Sequence, residues 1–162
     1  MNITIQRRRE NAFSFVEAIF TIAIIGIMSS LVVAAISNAS RDANRVMARQ
    51  QQASVQSALT AWVMSQTRVG TTAQFQSLET IRLSYNSIGS TLLRFNKLVP
   101  NATSPDITLR AGFLDQTTAD HFQSYTTASD KLLTAALVNA QQYLSLPDWQ
   151  SGDFPHVDLV NQ

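Results

Sequence analysis

Glu17 is the side chain whose type and position most demand a chemical explanation. It stands four residues into an apolar run that begins at Phe13, and the next charge is Arg41, about 23 uncharged residues further on. A carboxylate buried in lipid without a partner costs several kcal/mol or is forced to protonate. The ordinary account is that an acid near a helix end reaches the headgroup layer and needs no further role. The sharper account supplies a partner. Cutting the peptide bond between Ala12 and Phe13 creates an α-ammonium one helical turn before Glu17, and in packed subunits a neighbour's amine can sit beside this acid. A pair about 4 Å apart gains on the order of 4 kcal/mol at an effective dielectric of 20, before desolvation is subtracted. Such a pair is better suited to fixing register between helices than to adding net stability.

Elsewhere the residue types that do chemistry are scattered. No Gly-rich phosphate loop, nucleophile elbow or His-bearing helix motif occurs. The absence of cysteine removes disulfides, thiolate catalysis and Cys-based zinc sites together. His121 and His156 stand far apart, and neither has a second ligand at metal-site spacing. No catalytic residue, metal site or cofactor is assigned, and the expectation is a protein that is not an enzyme. Arg82, Arg94 and Lys97 form no basic stripe, and with 14% charged residues and a net charge of +1 they read as a polar helix face. No nucleic-acid partner is expected.

The element that must position Glu17 is a helix. The uncharged run from Ala18 to Ser40 spans about 34 Å as an α-helix, enough for a hydrocarbon core of about 30 Å. A secretory signal peptide with Ala35 and Ser37 before its cut is the alternative, giving a mature chain from near Asn38. Its hydrophobic region would run only about 7 to 15 residues, shorter than this one. Counting arginines does not orient the span, because Arg7, Arg8 and Arg9 on one side are matched by Arg41, Arg45 and Arg49 on the other.

The run Phe13-Ser14-Phe15-Val16-Glu17, with a short basic leader before it and Ile22-Ala23-Ile24-Ile25-Gly26-Ile27 after it, resembles the class III leader and N-terminal helix of type IV pilins and type II secretion pseudopilins. The likeness covers Arg7 to about Ile36. It implies cleavage between Ala12 and Phe13 by a prepilin peptidase on the cytoplasmic side, methylation of the new amine on Phe13, and a C-terminal part beyond the inner membrane. It implies that Glu17 is the assembly acid that pairs with a neighbouring subunit's N-terminus. The implied partners are the peptidase, other pilin-like subunits, an inner-membrane assembly platform and membrane lipid. Two residues depart from the family pattern. Ala12 stands where the family nearly always has glycine, which implies slower processing or a tolerant peptidase. Ala34 stands where many major pilins carry a helix-kinking proline, which favours a pseudopilin or minor subunit. The tail acids Asp148, Asp153 and Asp158 invite comparison with the calcium sites of major pseudopilins, but their spacing is not that of a calcium loop, and they read as solvated acids on a flexible tail.

The expected fold is α+β and mainly α: a leader over 1–12, a transmembrane and assembly helix over 13–36, its outer half over 37–68, and a small, largely helical head over 69–162 with at most a small sheet. From Phe13 to about Gln66 only Gly26 weakens the helix, so one helix of about 80 Å is expected. Val55, Ala58, Leu59, Trp62 and Gln66 form a stripe that packs on the chain's own head, which makes Trp62 a core residue before a ligand platform. Gly70 and the threonines after it mark a stop. The three- and four-residue steps from Phe75 through Leu78, Ile81, Tyr85, Ile88 and Leu92 to Phe95 predict a second helix. Pro100 and Pro105 bracket a loop, and the alternation Ile107, Leu109, Ala111, Phe113 predicts a strand. A last helix, capped by Ser129 and carrying Leu133, Ala136, Leu137, Ala140 and Leu144, is expected to end at Pro147. Two rivals to a filament subunit remain at this level: a signal-anchored enzyme outside the membrane and a secreted binding module.

Overall fold

The computed structural model describes residues 14–69, 74–101, 112–125 and 130–162. The chain divides into two compact units, Met1–Ser40 and Arg41–Gln162. Helix α1, Phe15–Gln66, contributes to both and runs for 52 residues. Its sequence has no proline and one glycine, and its many alanines and glutamines cost little to hold in a helix, which offsets the weaker preference of its β-branched isoleucines and valines.

The two parts of α1 differ in what surrounds them. Up to Ser40 almost every side chain is exposed. Within the second unit Ala48, Val55, Ala58, Leu59, Trp62 and Val63 are buried, a stripe at helical spacing. The expected stripe of Val55, Ala58, Leu59 and Trp62 therefore lies in the core of the head, with Gln66 half-buried at its end.

The head is built against that stripe. Strands β1 (Arg68–Val69) and β2 (Gln74–Phe75) form a short antiparallel pair, with Arg68 opposite Phe75 and Val69 opposite Gln74. Gly70 to Ala73 lie outside the described residues. Helix α2 (Leu78–Asn86) begins at Ser77, whose hydroxyl accepts the Thr80 amide at 3.2 Å. Helix α3 (Thr91–Asn96) begins at Ser90, whose hydroxyl accepts the Leu93 amide at 3.2 Å. The single helix expected over 75–95 is thus two. Ser90 adopts an extended backbone and Gly89 precedes it, so the chain breaks where a strong N-cap competes with a weak helix former. The apolar rhythm survives the break, because Ile81, Tyr85 and Phe95 all enter one core. Leu78, on the expected stripe, is exposed.

After Val99 the chain reaches Pro100, and residues 102–111 lie outside the described residues, which takes most of the expected strand with them. Its last residue, Phe113, sits in a bend: the amides of Phe113 and Leu114 both donate to the Leu98 carbonyl, at 2.8 and 3.0 Å. Gly112 is required there. Its φ is +67°, and a Cβ at this position would stand 2.5 Å from the Pro100 nitrogen. Helix α4 (Gln116–Tyr125) follows, with Asp115 Oδ2 accepting the Thr118 amide at 3.2 Å.

The last expected helix is shortened. The cap expected at Ser129 falls outside the described residues. Helix α5 (Ala135–Asn139) is capped by Thr134, whose hydroxyl accepts the Leu137 amide at 3.3 Å. It stops well before Pro147, because Gln141 takes a left-handed φ of 56°. Leu144 then lies in strand β3 (Gln142–Ser145), which pairs antiparallel with β4 (Asp158–Asn161) from Gln142 opposite Asn161 to Ser145 opposite Asp158. A bridge joins Leu144 to Leu132 on its other side. Both readings bury Leu144, but only the strand meets the distant partner. Among the described residues the chain is thus mainly helical through its long α1, and the head combines four short helices with two small two-stranded sheets.

Leu59 is 1% exposed in the head core, whereas Ile24 is 53% exposed in the first unit. Leu59→Ala should destabilise the head by about 2–5 kcal/mol in chemical denaturation of the detergent-solubilised chain. Ile24→Ala should leave that transition in place. A Leu59→Ala transition unchanged from wild type would show that this stripe does not hold the core.

Candidate functional site

The acid singled out in the sequence lies in the first turn of α1. Ser14 precedes the helix and accepts the Ala18 amide at 3.1 Å, and the Glu17 carbonyl accepts the Thr21 hydroxyl at 2.7 Å. A carboxylate in this turn is favoured by the helix dipole, a local contribution of about 0.3–1 kcal/mol when exposed. Among the described residues Glu17 is exposed and makes no ion pair. Ala12 and Phe13, the expected cleavage and methylation positions, lie outside the described residues.

Around Glu17 the helix is apolar on every side. Phe15, Ile22 and Leu31 are exposed at 80, 70 and 66%, and the intervening large side chains on all faces are also more than half or about half exposed. Such a helix has no polar face to turn to water. By length and composition it is able to cross a membrane once, and none of its apolar window is buried within the chain, unlike the core helix of a soluble domain.

The basic residues of the head do structural work. Arg94 is 6% exposed, and its Nη1 donates to the Leu146 carbonyl at 2.6 Å while Nη2 bonds Asp148. Its guanidinium lies 4.7 Å from the Tyr85 ring centroid. Arg82 forms an ion pair with Glu79 and reaches the Trp149 carbonyl at 3.4 Å. The hydrogen bond from Arg82 holds the Glu79 carboxyl below its usual range. Lys97 is exposed.

The tail acids require a correction, since the C-terminal segment is held along its length. Leu146, Trp149 and Val157 are buried. Asp148 pairs with Arg94, Asp153 Oδ1 accepts the Phe154 amide at 2.8 Å, and Asp158 opens β4 with His156 Nε2 at 3.4 Å. These acids lie on an ordered segment because buried neighbours anchor it. Among the described residues no three His, Asp or Glu side chains come together as metal ligands. His121 lines a shallow groove with Met47, Gln50 and Thr118.

Sequence reasoning missed what pins this segment. Gln52 Nε2 donates to the Val157 carbonyl at 2.7 Å. Gln56 donates to the Pro155 carbonyl at 2.9 Å and accepts the Val157 amide at 2.8 Å. Gln51 accepts the Thr134 hydroxyl at 2.8 Å. Gln52 and Gln56 of α1 thus satisfy backbone groups that would otherwise lack partners, in the manner of an added strand. Asn86 does the same for Trp149, accepting its amide at 2.8 Å and donating to its carbonyl at 3.0 Å. The available signal was the i, i+4 spacing of Gln52 and Gln56 beside the apolar stripe.

Trp62 is a core residue, 6.0 Å from the Tyr85 ring, which in turn lies 6.4 Å from Trp149. Burial pushes the Tyr85 hydroxyl up from 10.0 to about 12, only partly offset by the neighbouring Arg94 guanidinium, with which the buried oxygen makes no hydrogen bond of ordinary geometry. A raised folded-state value favours the neutral form, so its contribution is complete below about pH 10 and is lost as pH rises towards about 12. Tyr85→Phe should therefore match or exceed wild-type stability at pH 8, because no partner is orphaned. Between pH 10 and 12 wild type should lose on the order of 2 kcal/mol more than the variant in parallel denaturation curves. Identical slopes would contradict the burial of this hydroxyl. In comparisons with known proteins, no protein-family model, no curated protein and no solved structure matches the chain.

Proposed function

We propose that this chain is a pilin-like filament subunit, a pseudopilin or minor pilin of a type II secretion or type IV pilus system. The observation that carries the reading is the first part of α1, apolar and exposed on all sides, with one carboxylate in its opening turn and no further charge before Arg41. The likeness of residues 7–36 to prepilin sequences supplies the reaction. A prepilin peptidase hydrolyses the Ala12–Phe13 bond, and the amine released on Phe13 is methylated.

On this reading the helix first holds the subunit in the inner membrane and then packs among the same helices of other subunits on an assembly platform. Lipid tails are as apolar as these side chains, so packing shape and polar pairing decide association. Glu17 pairs with a neighbour's Phe13 amine and fixes the axial register. The head lies on the far side of the membrane and carries the contacts particular to its system. It has no catalytic role in this reading.

N-terminal mass spectrometry of the membrane-associated protein, from cells with their own processing machinery, tests the reading directly. The expected mature chain begins at N-methylated Phe13. A chain beginning at Met1 favours a signal-anchored protein, and one beginning near Asn38 favours a secreted module. Glu17→Ala should be inserted and cleaved normally, yet its incorporation into filaments should fall by more than about a hundredfold, since removing one member of a buried pair costs about 3–5 kcal/mol. Normal incorporation of that variant would sink the register role.

A further inference from the structure

Past the apolar run the first basic residues are Arg41 and Arg45, one turn apart on α1, with Asp42 between them. Together with Val138, Asn139, Ala140 and Gln141, at and just after the end of α5, they line a cavity of about 320 Å³. All six residues belong to the compact unit Arg41–Gln162. The cavity wall is mostly polar. Its positive charge is poorly compensated: Arg45 has only a 3.9 Å contact with Asp42, both side chains being largely exposed, and Arg41 has no ion pair among the described residues. An exposed pair of that kind contributes little.

Guanidinium groups a turn apart suit an oxyanion, because each presents a planar fork of donors that matches phosphate geometry. Asn139 and Gln141 add neutral amides to the same wall. The position of the cavity along the chain selects the kind of phosphate. Ser40 ends the uncharged run, so when α1 crosses a bilayer, chain adjacency alone brings Arg41 to the headgroup layer. A free anion would have no reason to be met there, whereas phospholipid headgroups are present at high density.

We propose that this cavity binds the phosphodiester headgroup of an anionic membrane phospholipid, with Arg41 and Arg45 as its charged donors and Asn139 and Gln141 as neutral ones. The site rests on the membrane-spanning part of the reading above and is independent of cleavage before Phe13 and of filament assembly. Arg49 is a built-in control. It follows Arg45 by one turn, does not line the cavity, and stands about 12 Å beyond Arg41 along the helix.

Native mass spectrometry of the full chain in mild detergent, with phosphatidylglycerol or phosphatidylcholine added, tests the site. Wild type should retain phosphatidylglycerol in preference to phosphatidylcholine. Arg41→Gln and Arg45→Gln should each weaken that retention about fivefold, and the double variant more, as expected for roughly 1 kcal/mol per basic residue at an anionic surface. Arg49→Gln should retain lipid as wild type does. Circular dichroism identifies any variant that misfolds, and the single substitutions decide the matter if the double one does. Equal retention by wild type and the single variants overturns the site, as does an equal loss in Arg49→Gln, which would indicate diffuse attraction. Displacement of the lipid by millimolar inorganic phosphate would overturn the lipid assignment in favour of a soluble anion. A chain absent from the membrane fraction overturns the site and the filament reading together. Selective lipid retention by a chain that begins at Met1 removes the filament reading and leaves the site standing.

Discussion

The structure depends on one constraint: a single helix has to satisfy two different surroundings. Every backbone group of α1 is provided for within the helix except at its ends, which leaves the side chains to decide what the helix touches. Up to Ser40 they are apolar on all faces and uncovered. From Arg41 onward they separate into a buried stripe, a row of glutamines engaged with other segments, and an exposed face. The change at Arg41 is one of pattern, from all-round hydrophobicity to amphipathicity, with no change in backbone conformation. The same helix can therefore be stable in lipid at one end and serve as the spine of a small water-facing core at the other.

That core is small, and much of its definition comes from polar side chains acting on backbone. Gln52 and Gln56 bond residues 155 and 157, Asn86 clasps Trp149, and Arg94 fastens Leu146 and Asp148. Leu146, Trp149 and Val157 follow these bonds into the interior. A buried amide or guanidinium is costly unless satisfied, so each bond excludes alternative placements of the tail as well as adding a modest net stabilisation of about 1 kcal/mol. Tyr85 is one of three exceptions among the described residues, its hydroxyl buried beneath the Arg94 guanidinium, whose Nε is also without a partner, as is Gln142 Oε1. The ring is retained by its contacts with Trp62 and Trp149, while the hydroxyl adds a polar group that the core does not satisfy.

What the sequence made legible was whatever is periodic and local. The long helix and its buried stripe followed from residue spacing, as did the apolar rhythm from Ile81 to Phe95. The break between α2 and α3 was not foreseen because the apolar steps continue across it, whereas Ser90 is a complete N-cap that starts a new helix. Leu144 was read as helical because it falls seven residues after Leu137, a spacing that a turn at Gln141 followed by a strand can imitate. Its partner, Leu159, is 15 residues away, and no local pattern announces such pairing. The tail acids were judged flexible for the same reason, since the groups that hold the segment lie on α1, α2 and α3. Of the candidate site, the exposed apolar helix and the position of Glu17 were visible at once. Arg41 and Arg45 were counted only for topology, and their association with residues 138–141 required the folded head.

On the proposed reading, the two ends of the apolar run carry the specificity that its middle cannot. Exchanging lipid for neighbouring helices changes little in hydrophobic free energy, because both surroundings are hydrocarbon. Side chains such as Ile22, Ile25 and Leu31 therefore permit assembly without fixing its geometry. Glu17 at one end is intolerant of position, since a carboxylate in a low-dielectric setting is stable only beside a cation. Arg41 and Arg45 at the other end are tolerant, since they remain in contact with water and headgroups. The inner end would then define register, and the outer end would hold the subunit at a fixed depth until packing replaces the bilayer. An apolar helix with a demanding acid at its start and forgiving bases at its finish is suited to leaving the membrane in one direction and one register.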